Sequence, residues 1–355
     1  MTVRIHWLTI LKLLALGALS VLLLSCEAVS YYAQAARGQM SILSAREDIH
    51  RLLRDKKLSS DQRSRFELVL ALRRFAQDEL ALPVADNYSA FVEVGREHVV
   101  WNVFAAPEFS TKAVNWCYPI AGCVTYRGYF NEQNALRYAR RLEAEGFDVY
   151  TGGVDAYSTL GWFDDPLLST VMKRSDWQLA GLIFHELAHQ VVYVQADTTF
   201  NESFATAVER EGIRRWLLSK GQDEWIVAAD VALSRQQDFV ELVIRWRNCF
   251  AELYEQQLTT GEMRTRKQLM QQQMRADYLL LKQRWDGYAG YDSWFSRSLN
   301  NAQLSTVASY NDLVPSFDAL LMSLNGDMSA FYSAVRQLAQ LPMEERAARL
   351  ASITQ

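Results

Sequence analysis

The stretch Gly181 to Gly212, GLIFHELAHQVVYVQADTTFNESFATAVEREG, concentrates residue types that can hold a metal and move a proton. His185-Glu186-Leu187-Ala188-His189 is an HExxH sequence inside an apolar run of helical spacing. Its two imidazoles therefore stand one turn apart on one helix face, where both can reach a single Zn2+. Glu186 then lies beside the metal, placed to take a proton from water. A catalytic zinc needs a third protein ligand and one open position. Phe200-Asn201-Glu202-Ser203-Phe204-Ala205 opens a second expected helix, capped by Asp197 or Thr198, and the short connection folds it back antiparallel to the first. Glu202 would face the histidines from that partner helix. Glu209, two turns further along nearly the same stripe, is either the rival ligand or an acceptor for an imidazole N–H. Stabilising an oxyanion calls for a further donor. Tyr310, in a polar break between helices, is the preferred candidate over Tyr193, which reads as sharing a helical face with His185 and His189. Asn300 and Asn301 either line the cleft or cap a helix.

These residues need a scaffold, and the composition supplies one. The hydrophobic fraction is 50%, 12% of residues are aromatic and only 6 are proline, which describes a compact, helix-rich protein and excludes disordered and collagen-like classes. With 37 basic against 41 acidic residues there is no basic field for phosphates, so nucleic acid is not an expected partner. The expected fold is α+β and predominantly α-helical, with a small β-sheet before the HExxH helix and a helical C-terminal half. Helical periodicity in two pieces across Tyr31 to Leu82 predicts an N-terminal hairpin, 26–85. β-branched and aromatic residues from Tyr88 to Gly128, a helix over Asn131 to Glu145 stopped by Gly146, a strand FDVYTGG and a helix from Asp176 to Val194 make an α+β catalytic region, 86–220. Residues 221–355 read as helical.

Residues 1–25 read as a signal peptide, with Arg4 and Lys12 ahead of a charge-free, Leu-rich run from Leu13 to Ser25 that is short for a membrane span. Its end, Leu23-Leu24-Ser25-Cys26, resembles the bacterial lipobox, although Leu24 is bulkier than that motif usually shows. The resemblance implies a lipidated Cys26 as the mature N-terminus, membrane attachment through that lipid, and residence at the periplasmic face of the outer membrane. In such an oxidising compartment Cys117 and Cys123, in WCYPIAGCVTYRG, are close enough to close a small disulfide loop, whereas Cys249 falls in a helical stretch as an expected core residue.

His185 to His189 followed by Asn201-Glu202 is similar to the HExxH and NEGFA elements of the gluzincin zinc aminopeptidases, with a shorter spacing here. The whole chain, from lipobox to C-terminal helices, looks more specifically like the bacterial predicted zinc aminopeptidase lipoproteins. That resemblance implies a zincin-like core holding one Zn2+ and acting on peptides. It also implies that the strand containing Gly152-Gly153-Val154-Asp155-Ala156 forms the cleft's upper rim, where Gly153 would pair with a peptide by β-augmentation. Asp155 falls where the family's acidic residue holds a substrate ammonium, although Ala156 departs from the pattern. The expected function is a zinc-dependent aminopeptidase with Glu186 as general base. The alternatives are a lipid-anchored envelope chaperone with a structural zinc, and an endopeptidase for misfolded envelope proteins.

Overall fold

The computed structural model describes residues 29–118, 122–157, 163–195, 197–307 and 313–353. The signal segment, Cys26 and Tyr310 lie outside these residues. Helix α1 (29–44) leads into β1 (Glu47–Asp48), α2 (Ile49–Leu53) and α3 (Ser60–Asp78). The β-rich middle comprises β2 (Ala90–Val92), β3 (Val100–Pro107), β4 (Trp116–Tyr118), β5 (Gly122–Val124), β6 (Arg127–Tyr129), α4 (Glu132–Ala144), β7 (Phe147–Val154) and β8 (Leu167–Leu168). Helices then take over: α5 (Asp176–His189), α6 (Thr198–Ser219), α7 (Asp223–Tyr254), α8 (Thr260–Arg284), α9 (Asp292–Phe295), α10 (Asn301–Ser305), α11 (Val314–Ser323), α12 (Met328–Ala339) and α13 (Met343–Ala351). The fold is α+β and mostly helical. No described helix is long and apolar enough to cross a membrane.

Two three-stranded sheets accompany the helices, besides the two-stranded β4-β5 hairpin. One orders β1-β2-β8, with β2 and β8 parallel; the other orders β6-β3-β7 and is antiparallel throughout. Side chains alternate faces along a strand, and in the second sheet Trp101, Val103, Ala105 and Val149 turn to one side, where Ala135, Ala139 and Leu142 of α4 cover them. Asn102, Phe104, Tyr150 and Gly152 turn to the other.

The largest core joins α3, α5 and α6 with α11, α12 and α13, from Ile49 to Leu350. A second cluster lies within α7 to α10. Packing therefore cuts across the expected boundaries near 85 and 220: the last helices complete the core around the HExxH helix instead of forming a region with α7 and α8. The expected N-terminal hairpin is also revised. α1 packs over the second sheet, with Ile42 among Val99, Val100 and Phe130 and with Gln34 bonded to Gly128 and Phe130, whereas α3 joins α5. Periodicity reports which face of a helix is apolar and says nothing of which partner covers it.

Helix α5 begins at a capping box, Ser175 with Gln178, and buries Leu179, Ile183, Phe184 and Leu187. It ends at His189, five residues short of the expected Val194. Beyond that point Gln190 and Val191 make i to i−3 bonds that tighten the last turn, and Asn201 clamps the connection through both Val194 N–H and Val194 C=O at 2.8 Å. Asp197 caps α6 at the Phe200 N–H. The two helices approach closely where glycine allows it: a Cβ on Gly212 would lie 2.5 Å from the Phe184 ring. Gly212→Ala is therefore expected to destabilise the protein by about 1–3 kcal/mol, overriding the alanine's helix propensity gain of about 1 kcal/mol. Urea denaturation of the two proteins checks this.

Candidate metal centre

His185 and His189 occupy the last turns of α5, one turn apart, with their rings 4.9 Å apart and edge to face. Across the helix pair Glu202, in the first turns of α6, brings Oε2 to 3.2 Å from His185 Nε2 and Oε1 to 3.7 Å from His189 Nε2. One donor atom from each of the three residues lies within 4.8 Å of the others, so the cluster is a candidate metal-binding triad. Its donor set, two imidazole nitrogens and a carboxylate oxygen, suits a divalent cation of borderline softness such as zinc.

Glu209 settles into the supporting place left open by the sequence. Its Oε2 lies 3.0 Å from His185 Nδ1, the ring nitrogen on the far side from Glu202. A carboxylate there fixes the ring orientation and raises the basicity of the other nitrogen. Gly181, one turn before His185, permits this contact, since a Cβ on it would fall 2.9 Å from Glu209 Oε1.

The electrostatics follow from burying two histidines among three carboxylates. Desolvation opposes the charged form of His185, but hydrogen bonds to Glu202 and Glu209 and the charges of Glu209 and Glu186 outweigh it and push the ring up to about 10. In the metal-free protein a proton on His185 thus supplies the positive charge that a cation would bring. His189 is pushed down to about 4 by desolvation and by the neighbouring His185 cation. Glu202 is held below the usual carboxylate range because its bond to His185 and the histidine charges outweigh its desolvation. Glu186 is raised to about 7, first by desolvation and then, against the His185 charge, by the surrounding carboxylates. A carboxyl that titrates near neutrality both accepts and returns a proton readily.

The other expected site residues are distributed unevenly. Tyr193 lies beyond the end of α5, so it does not share a helical face with the histidines; its half-exposed ring still packs 6.1 Å from that of His189. Asp155 follows β7 and accepts from His98 Nδ1 at 2.7 Å, with Arg174 at 3.7 Å from its other oxygen. Arg174 precedes the first turn of α5, separated from His185 by about 15 Å of helix. The carboxylate is thus occupied by an imidazole and a guanidinium toward the opposite end of the helix. Gly153 is exposed at the end of the edge strand β7, where a Cβ would collide with the His98 ring. Further along that edge, Val149 C=O accepts from Asn300 Nδ2 at 2.8 Å and Thr151 C=O from the Arg297 guanidinium at 3.2 Å, which limits where a peptide strand can be added. Asn300 also caps α10, and buried Asn301 bonds Pro107, Glu108 and Tyr254, so neither asparagine serves the metal cluster. Cys117 and Cys123 form a disulfide between β4 and β5, and Cys249 is half-buried on α7.

Two tyrosines near the cluster escaped the sequence reading. Tyr88 is buried, and its hydroxyl is pushed well up by desolvation and by Glu186 and Asp165. Tyr126 follows β5, and its hydroxyl is raised by desolvation and then by Tyr193, Glu202 and Glu186. The hairpin before it lies against the α5–α6 connection, with a Cβ on Gly122 falling 3.5 Å from Gln195 Nε2. Neither tyrosine stands in a motif; for Tyr126 the available signal was the aromatic-rich stretch around the Cys117–Cys123 loop it follows.

Over residues 30–350 the chain matches the family described as putative aminopeptidase, and it belongs to that family. No curated protein and no solved structure matches it.

Two outcomes are expected of the cluster. Glu209→Ala lowers metal affinity by about 10- to 100-fold, measured by competition with a chelating dye. In the metal-free protein His185 titrates higher folded (about 10) than unfolded (6.5), so its contribution to stability is complete below pH 6.5 and is lost as the pH rises toward 10. Denaturation in chelator across that window shows the loss, and Glu202→Gln reduces it.

Proposed function

We propose that the protein is a zinc-dependent peptidase, with removal of N-terminal residues as its reaction. The observation that carries this reading is the convergence of His185, His189 and Glu202 on one point with Glu186 beside them; the family to which the chain belongs supports the peptidase part. The resemblance to gluzincins supports a zincin-like core, in which α5 and α6 carry the ligands and the β6-β3-β7 sheet walls the cleft.

Zinc held by the three side chains would act as a Lewis acid toward the scissile carbonyl and lower the pKa of water. The remaining work belongs to the chain. Glu186 takes a proton from the attacking water and returns it to the leaving amine, a relay suited to its raised pKa. Glu209 holds the His185 ring by Nδ1 so that Nε2 points toward Glu202. Tyr193 beside His189 is the described residue best placed to donate to an oxyanion, and Tyr310 remains a proposal from sequence. Attachment to the outer membrane through a lipid on Cys26, facing the periplasm, is proposed on the lipobox resemblance, and the Cys117–Cys123 disulfide suits that oxidising compartment.

Asp155 does not contribute to the aminopeptidase reading, because His98 and Arg174 already engage its carboxylate. That occupation favours endopeptidase action as the second reading. One experiment separates the two: zinc-loaded residues 27–355 are given a peptide library with free or acetylated N-termini, and Glu186→Ala serves as control. Stepwise shortening of free peptides alone is the expected result. Internal cuts in both libraries would establish the second reading, and a Glu202→Ala protein with full zinc occupancy and activity would overturn the ligand assignment.

A further inference from the structure

The β6-β3-β7 sheet presents an unusual face toward the metal cluster. In register, Val103 pairs with Arg127, which places Tyr126 next in line opposite Phe104, and Phe104 pairs with Tyr150. The three rings therefore form one row across three strands, with centroids 5.7 Å apart for Tyr126 and Phe104 and 6.2 Å apart for Phe104 and Tyr150. They point away from α4, whose apolar face covers the opposite side of the sheet. The row is only partly buried; Tyr126 is 39% exposed.

The adjacent row is Gly128, Asn102 and Gly152, in direct register. Two of its three positions lack a side chain, and Asn102 Oδ1, a buried atom without a hydrogen-bond partner among the described residues, lies 3.2 Å from where a Cβ on Gly128 would stand. Beyond it the sheet closes again, since Val100, Phe130 and Val154 pack under α1 with Ile42. The three rings thus stand as one partly exposed row on this face of the sheet. Arg297 bounds its far end, with the guanidinium 5.3 Å over the Tyr150 ring. Its near end is Tyr126, whose hydroxyl feels Glu202, Glu186 and Tyr193.

We propose that the Tyr126–Phe104–Tyr150 row is the side-chain subsite of the metal cleft, taking an aromatic or large aliphatic residue of a peptide adjoining the scissile bond. The inference rests on the peptidase reading and specifies its substrate class. The hairpin that precedes Tyr126 lies against the α5–α6 connection, with a Cβ on Gly122 falling 3.5 Å from Gln195 Nε2, so the row ends beside the segment that joins the two ligand-bearing helices. Rings in a cross-strand row offer faces and edges to an incoming apolar side chain at little conformational cost.

The test uses peptides that differ at one residue, Phe, Leu, Ala or Glu, on either side of the cleaved bond. Zinc-loaded wild type is expected to favour Phe and Leu over Ala in kcat/KM by about tenfold or more, a difference of the size that filling one apolar pocket supplies. Phe104→Ala, and Tyr150→Leu as a variant that keeps apolar bulk on the strand, are expected to reduce that preference to about threefold or less. Binding of the same peptides to zinc-loaded Glu186→Gln, followed by calorimetry, gives a readout independent of turnover. A preference for Phe in binding that Phe104→Ala abolishes would uphold the subsite even if wild type cleaved nothing, in which case the peptidase reading fails alone. Cleavage indifferent to residue size, a preference unchanged in both variants, or no binding of any peptide would overturn the subsite.

Discussion

One imidazole held between two carboxylates governs the arrangement of this protein. His185 meets Glu202 through one ring nitrogen and Glu209 through the other, and both carboxylates come from a single helix antiparallel to its own. That geometry requires α5 and α6 to run almost in contact. Gly181 and Gly212, one on each helix, remove the side chains that would hold them apart, and Asn201 fixes the turn between them. The surrounding core of α3 and α11 to α13 supplies apolar burial on the opposite faces, so the polar cluster is positioned by hydrophobic packing behind it.

The same constraint sets the charge balance. Three carboxylates and two imidazoles in a poorly solvated space cannot all adopt their usual states. The His185 proton neutralises part of the excess negative charge, His189 is pushed toward its neutral form, and the Glu186 carboxyl is raised toward neutrality by its burial and the carboxylates around it.

What the sequence revealed, and what it hid, divides by the range of the interaction. The histidine pair and Glu186 are fixed by helix period alone and are legible within five residues. Glu202 was legible because a short connection between two helices leaves few ways to fold back. The role of Glu209 stayed open, since it depends on how closely two helices approach at Gly181. Asp155 was read from its neighbours in sequence, whereas its partners His98 and Arg174 arrive through strand register and the segment before α5. Tyr126 was invisible for the same reason: its place beside Phe104 follows from pairing between strands far apart along the chain. The end of α5 at His189 was missed because the bonds of Asn201 to Val194 compete with further helix.

The buried ion pair between Arg346 and Asp197 joins the last described helix to the residue that caps α6, and the Arg346 guanidinium also lies 4.9 Å over the Phe200 ring. The helix that carries Glu202 is therefore finished from the far end of the chain. During synthesis, a growing polypeptide that has made α5 and α6 but not α13 leaves Asp197 without its cation and the apolar side of α6 uncovered. A translation product interrupted upstream of that helix would carry every residue of the candidate triad yet lack this ion pair and the cover it gives the start of α6.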